Sequence, residues 1–211
     1  MMALPASEWT RADSEGALLV AAASGRTAVV KSLLRQGVAA DAADERGLSP
    51  LMLAARNNCI ATMRALLDGG ADIDLRRGGT DGWPALMHAI HREHRQAAMA
   101  LLEWGANPDA RGKCGYSALM MAAGCGDLDL VAALLTHGAD PSTRQPLGFT
   151  AMDYAIGYGH DRIVSLLIGV APELRDEFNP ARRAVLELAT RLGYGEILAR
   201  VGGNRDHDGS C

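Results

Sequence analysis

An all-α solenoid of stacked helix–turn–helix units is what this sequence predicts, on three observations. Short strings recur: Leu18-Leu19-Val20-Ala21-Ala22, Leu51-Met52-Leu53-Ala54-Ala55, Leu86-Met87-His88-Ala89-Ile90, Leu119-Met120-Met121-Ala122-Ala123 and Met152-Asp153-Tyr154-Ala155-Ile156. Their first residues lie 33, 35, 33 and 33 apart, and a fainter copy, Leu186-Glu187-Leu188-Ala189-Thr190, follows after 34. A second string holds the same register at Gly37-Val38-Ala39, Gly70-Ala71-Asp72, Gly105-Ala106-Asn107 and Gly138-Ala139-Asp140. Between the two lies an apolar block with paired leucines: Leu33-Leu34, Leu66-Leu67, Leu101-Leu102, Leu134-Leu135 and Leu166-Leu167. Fixed periods of this length are the mark of a repeat architecture.

Each segment of a unit has its own physical reason. The Leu-x-x-Ala-Ala string predicts a short helix whose small residues let a neighbour approach closely. Gly25, Asn58, Gly126 and Gly159 suit a left-handed turn that ends it. A second helix follows, with apolar residues at helical spacing, as in Ile60, Met63, Leu66 and Leu67. Gly37, Gly70, Gly105 and Gly138 end this helix in the same way. The connection to the next unit is rich in Asp, Gly and Pro and reads as an extended turn. Neither helix reaches the ~12–15 residues at which an isolated helix is even marginal. Stability therefore has to come from stacking one unit on the next.

These strings resemble the ankyrin repeat, a helix–turn–helix with a β-turn finger. The family pattern is met best from Asp44 to Asp74, where Asp44, Gly47, Ser49-Pro50-Leu51, Ala54-Ala55, Leu66-Leu67, Gly70-Ala71-Asp72 and Asp74 fall in register. Departures are specific. The Thr-Pro pair survives only as Ser49-Pro50 and becomes Pro84-Ala85, Ser117-Ala118 and Thr150-Ala151 elsewhere. The family's helix His is replaced by Met52, Met87 and Met120. The resemblance implies five repeats at about 14–43, 44–76, 77–111, 112–144 and 145–172. A capping repeat at 173–202 would show solvent Glu187 and Arg191. Residues 1–13 read as an N-terminal extension whose Trp9 covers the first repeat, and 203–211 as a flexible tail. Pro180 is placed to open the cap's first helix, with Phe178 stapling it.

By the same resemblance, the finger tips and the ends of the first helices line a concave surface that holds partners. Those positions are Glu45, Arg46, Leu48, Arg56 and Asn57 in the second repeat, and Thr80, Asp81, Trp83, His91 and Arg92 in the third. The fourth offers Lys113, Cys114, Tyr116, Gly124 and Cys125, and the fifth Pro146, Leu147, Phe149, Gly157 and Tyr158. Only nine of 211 residues are aromatic, and four of the nine (Trp83, Tyr116, Phe149 and Tyr158) fall here. Leu48, Trp83, Tyr116 and Phe149 each follow the finger glycine, which predicts an apolar ladder. Two uses of the ladder stand open at this point: anchoring a partner, or packing on the adjacent finger. Arg46, Arg56, Arg92 and Lys113 outnumber Glu45 and Asp81, so the groove favours a partner with acidic character. The third unit's two extra residues fall in Leu75–Gly82, either a longer functional finger or a tolerated insertion.

Composition excludes several alternatives. Hydrophobic residues make up 48% and charged residues 22%, a globular balance. The net charge of −4 argues against binding nucleic acid across a basic face. No apolar run suits a bilayer span, and the absence of a secretion signal makes the cytoplasm the expected location. Cys59, Cys114, Cys125 and Cys211 form no CxxC pair, so they read as reduced thiols. No phosphate loop, nucleophile elbow or HExxH helix occurs. His88, His91 and His94 raise a metal site around His91, Cys114 and Cys125, but no carboxylate is obviously aimed at them, and His94 and His160 match the family's structural Gly-His position. Asp127, Asp129, Asp153 and Asp161 read as exposed charges at helix starts. Arginine outnumbers lysine 19 to 2, which we read as base composition pointing to a bacterial source. The expectation is a non-enzymatic module, monomeric in isolation, with no cofactor and no metal, that binds another protein as a regulator or inhibitor. The alternatives are a self-associating structural protein and the metal or thiol site.

Overall fold

The computed structural model describes residues 10–77, 82–172, 174 and 180–202. Among them are twelve helices and no strand: α1 (Arg11–Ala23), α2 (Thr27–Arg35), α3 (Pro50–Arg56), α4 (Ile60–Asp68), α5 (Ala85–His91), α6 (Arg95–Glu103), α7 (Ala118–Cys125), α8 (Leu128–Thr136), α9 (Ala151–Gly157), α10 (Asp161–Val170), α11 (Pro180–Arg191) and α12 (Gly195–Gly202). The chain falls into two compact units, Met1–Lys113 and Cys114–Cys211. In the first, the first helices α1, α3 and α5 stack in order, each packed on its own second helix, α2, α4 or α6. In the second, α7, α9 and α11 stack in the same manner, backed by α8, α10 and α12.

Small side chains allow this stacking. Ala22, Ala54, Ala55, Ala89, Ala122, Ala123 and Ala155 are fully buried on the first helices. Leu18, Leu51, Leu86, Leu119 and Met152 begin the repeated strings and are buried as well. Helices this short bury little surface alone, so their stability resides in the layers between repeats.

Helix starts follow the side-chain caps. Ser49 Oγ accepts the Met52 amide at 3.3 Å, Ser117 Oγ the Met120 amide at 3.1 Å, and Thr150 Oγ1 the Asp153 amide at 3.4 Å. Pro84 holds the same place before α5 and has no side chain that caps. In the second repeat the Ser49 amide donates to the Met52 sulfur at 3.3 Å, so the methionine stands in for the usual polar partner of a capping box.

Helix ends explain the Leu-Leu-x-x-Gly-Ala string. At α4 the Gly70 amide donates to the Leu67 carbonyl at 3.0 Å and the Ala71 amide to the Leu66 carbonyl at 3.0 Å. That pair of bonds requires a left-handed residue, and Gly70 has φ 90°. The same pair of bonds recurs after α2, α6 and α8.

Both terminal units differ from the interior ones. Helix α1 begins at Arg11, inside the segment expected to be an extension, because Thr10 and Asp13 form a capping box: the Asp13 amide reaches Thr10 Oγ1 at 3.2 Å and the Thr10 amide reaches Asp13 Oδ2 at 3.0 Å. Helix α11 has 12 residues against seven in α9, and it opens at Pro180 as expected. Glu187 and Arg191 are exposed on it. Trp9, Phe178 and the tail 203–211 lie outside the described residues.

Candidate functional site

In the first unit, the second finger is tied by one carboxylate. Asp44 Oδ1 accepts the Arg46 amide at 2.9 Å and the Leu48 amide at 2.7 Å. This fixes the turn, leaves Glu45 and Arg46 exposed at its tip and half-buries Leu48. At the end of α3, Arg56 is half-buried, and Asn57 donates through Nδ2 to the Ala23 carbonyl at 2.9 Å. Asn57 thus joins two neighbouring repeats besides facing solvent.

Trp83 is half-buried against α5. Its ring lies 5.7 Å from His88, edge-on, and 4.9 Å from His91. His91 and Arg92 are exposed at the helix end. The Lys113 stem crosses Gly82, where a Cβ would come within 2.9 Å of Lys113 Cγ. Thr80, Asp81 and the tip of the longer third finger lie outside the described residues.

His88 and His91 meet one indole, while His94 turns away and its Nε2 lies 3.1 Å from the Arg56 carbonyl. His160 has the same relation to the Gly124 carbonyl, at 3.1 Å. These two imidazoles join consecutive repeats, in line with the structural reading of the Gly-His position. Among the described residues, no three His, Cys, Asp or Glu side chains gather as metal ligands.

In the second unit the aromatic residues converge. Tyr116 lies 4.8 Å and Phe149 6.1 Å from the Tyr154 ring. Gln145 Nε2 donates to the Tyr154 hydroxyl at 3.3 Å. Burial, and then the hydrogen bond with Tyr154, push the Tyr116 phenol well above the ordinary tyrosine range. Of the two uses open for the ladder rings, packing is visible for Trp83, Tyr116 and Phe149, each of which rests on a first helix. Tyr158 differs: it is 63% exposed beside Gly124, with His160 stacked 6.4 Å away. Cys125 is exposed, and Leu147 is 74% exposed on the fifth finger.

One residue position escaped the sequence reading. The third residue of each repeated string is Val20, Leu53, His88, Met121, Tyr154 and Leu188, and His88 and Tyr154 support the ladder rings. The regular spacing of that position was the available signal. The capping unit also exposes Leu188 and Leu192, in register with Tyr154 and Tyr158. Its surface is thus less uniformly polar than expected.

Asp153 corrects an expectation outright. In place of the expected exposed helix-start charge, it is 2% exposed and paired with Arg182. Asp127 does act at a helix start, accepting the Leu130 amide at 3.1 Å. Asp161 meets Arg200 at 3.1 Å. No helix among the described residues is long and apolar enough to cross a membrane.

Comparison with known proteins agrees with this geometry. The family model for ankyrin repeats, three copies to a match, aligns with residues 18–112 and 105–176. Human ankyrin repeat and SOCS box protein 3 is 32% identical over 100 residues, which are 47% of this chain and 19% of that protein. An ankyrin repeat-containing protein of Treponema pallidum (strain Nichols) is 34% identical over 101 residues, 47% of this chain and 33% of its own length. Human SH3 and multiple ankyrin repeat domains protein 2 is 39% identical over 72 residues, 34% of this chain and 4% of that protein. The matched part of the chain spans at most a third of these relatives.

Proposed function

The chain belongs to the ankyrin repeat family, and from that premise we propose that it is a non-enzymatic module that holds a partner protein against its finger and first-helix surface, as a regulator or inhibitor. One observation carries this reading. Equivalent positions in successive repeats present Arg92, Cys125 and Tyr158 to solvent, while Ile90, Ala123 and Ile156, two residues earlier in each repeat, are buried. A large aromatic side chain left 63% exposed at such a position, as Tyr158 is, suits an interface better than a core. The stacked repeats order these side chains in advance, so little conformational entropy is lost on association. The residues proposed to meet the partner are Glu45, Arg46, Leu48, Arg56, Asn57, Asp81, Trp83, His91, Arg92, Lys113, Tyr116, Cys125, Phe149 and Tyr158. The chain acts as a monomer in the cytoplasm, where the thiols of Cys59, Cys114 and Cys125 stay reduced.

Affinity capture from the source cell tests the reading. The full chain is expected to retain one reproducible protein set, identified by mass spectrometry. Trp83→Ala with Tyr158→Ala is expected to lose that set while keeping the helical circular dichroism. An unchanged set on the folded double variant overturns the assignment of the surface.

A further inference from the structure

The fifth repeat carries the two most exposed large apolar side chains among the described residues: Leu147 on its finger at 74% and Tyr158 after α9 at 63%. Gln145 ties that finger to α9, since its Oε1 accepts the Leu147 amide at 3.2 Å and its Nε2 donates to the Tyr154 hydroxyl at 3.3 Å. Along the stack, the position of Tyr158 recurs as Cys125 at the end of α7 and as Leu192 after α11, both exposed. One helical turn earlier, Met121 is buried and Tyr154 half-buried, so the row projecting from α7 and α9 is a single residue wide. Charge is scarce on this face. Helix α7 has no Asp, Glu, Lys, Arg or His, and α9 has only Asp153, buried against Arg182. On α11, Arg183 pairs with Glu187 at 3.3 Å, and Arg191 is exposed beside Leu192. The main-chain acceptors are engaged as well. The Gly124 carbonyl takes a hydrogen bond from His160 Nε2 at 3.1 Å. The Tyr154, Ala155 and Ile156 carbonyls accept the amides of Tyr158, His160 and Gly159 at 3.1, 2.8 and 3.1 Å.

Resting on the binding-module reading, we propose that the second unit holds an uncharged, proline-rich segment of its partner in the polyproline II conformation, one turn to a repeat along Cys125, Tyr158 and Leu192. A charged segment would give up hydration here and meet hardly any opposite charge. An extended segment with ordinary amides would bury N–H groups beside carbonyls that are already used. Proline has no N–H to bury. A polyproline II helix has three residues per turn at ~3.1 Å each, or roughly 9 Å per turn. Helices α7, α9 and α11 are stacked neighbours, and packed helices stand about 8–10 Å apart. One side chain per turn of the segment therefore meets one row position per repeat. The Tyr158 ring lies over Gly124, where a Cβ would stand 3.7 Å from the ring. It offers an apolar face, and its hydroxyl can donate to a carbonyl of the segment, which has no internal hydrogen bonds. A partner α-helix satisfies its own amides too, but its apolar stripe spans about 100° or more, and a row one residue wide is too narrow for it.

Selection of short random peptides displayed on phage, panned on the full chain, tests this. The retained peptides are expected to carry proline at three-residue spacing and few charges. A labelled retained peptide is expected to bind at least about tenfold more weakly to the Tyr158→Ala/Leu192→Ala variant, which removes two rungs of the row. Replacing its prolines by alanine is expected to weaken binding to the native chain by a similar factor. Its affinity is expected to change less than about twofold as ionic strength rises from about 0.01 to about 0.15 M, because no ion pair forms. Tyr158→Ala alone serves as a milder variant, and circular dichroism verifies that both are folded. Retained peptides that lack proline, that are rich in one charge or that turn helical on binding overturn the proposal. So does undiminished binding to the folded double variant. Failure to retain any peptide overturns it as well, while capture of proteins from the source cell decides the binding-module reading separately.

Discussion

Arg182 Nε donates to Asp153 Oδ1 at 2.7 Å in a place closed to water, the two side chains being 4% and 0% exposed. Asp153 occupies the register position that is Met52, Met87 and Met120 in the other repeats. Its second oxygen, Oδ2, accepts from the Thr150 amide and from Thr150 Oγ1, both at 2.8 Å. Arg182 also donates to Thr150 Oγ1 at 3.3 Å and to the Leu174 carbonyl. One buried network thus joins α11 to the start of α9.

Removing one partner of this pair leaves a buried charge without compensation, which is worth about 3–5 kcal/mol. Arg182→Met is therefore expected to lower the urea midpoint sharply and to release α11 and α12 to hydrogen exchange first. Arg182→Met combined with Asp153→Met is expected to recover most of that loss, because three repeats already bury methionine at the Asp153 position. A single variant that costs less than about 1 kcal/mol contradicts the role of the pair.

Glu93 adopts the left-handed conformation, φ 57°, where the chain has Gly25, Gly126 and Gly159 in other repeats. That conformation costs an L-residue roughly 1–2 kcal/mol. A glycine relieves this but raises the entropy of the unfolded chain by about 0.4–1 kcal/mol. Relief outweighs entropy, so Glu93→Gly is expected to stabilise by about 0.5–1 kcal/mol, read as a higher urea midpoint at unchanged slope.

The Asp41 carboxylate accepts the Asp72 amide through both oxygens at 3.2 Å, yet burial, with the Asp72 charge beside it, raises its pKa. The folded protein then holds this proton more tightly than the unfolded chain. Stability falls as pH rises through the window that opens near the ordinary carboxyl value of about 3.9. Asn keeps an acceptor for the Asp72 amide and never ionises. Asp41→Asn is expected to be more stable than the native chain at pH 7, with the difference vanishing below about pH 3.5, where Asp41 is protonated in both states. Urea unfolding at a series of pH values measures it, and an advantage that persists at low pH refutes the cause given.

The repeats were legible in the sequence because their signals are local. A glycine after the paired leucines, and Ser49, Ser117 and Thr150 before three of the strings, determine helix ends within a few residues. The Asp153 network was not legible, because its partner stands 29 residues on in the cap, and a carboxylate near a helix start carries a sufficient local explanation already. The aromatic ladder was half legible. Spacing brought out Trp83, Tyr116 and Phe149, but the residues beneath them, His88 and Tyr154, belong to a helix position that varies in chemistry from one repeat to the next.

That division separates two tyrosines by test. Tyr116 rests on Tyr154, and burial with their hydrogen bond keeps its phenol protonated above the usual range. Tyr116→Phe loses that bond and is expected to cost about 0.5–1.5 kcal/mol at neutral pH. A folded phenol that resists ionisation makes stability fall once pH exceeds the unfolded value of about 10, so the same variant is expected to lose less stability between pH 9 and about 11. Tyr158 is mostly exposed, and Tyr158→Ala is expected to change stability by less than about 0.5 kcal/mol while weakening partner capture. Urea unfolding and capture on the same samples distinguish the two roles. A Tyr158→Ala variant that unfolds early, or a Tyr116→Phe variant with an unaltered alkaline profile, contradicts this assignment.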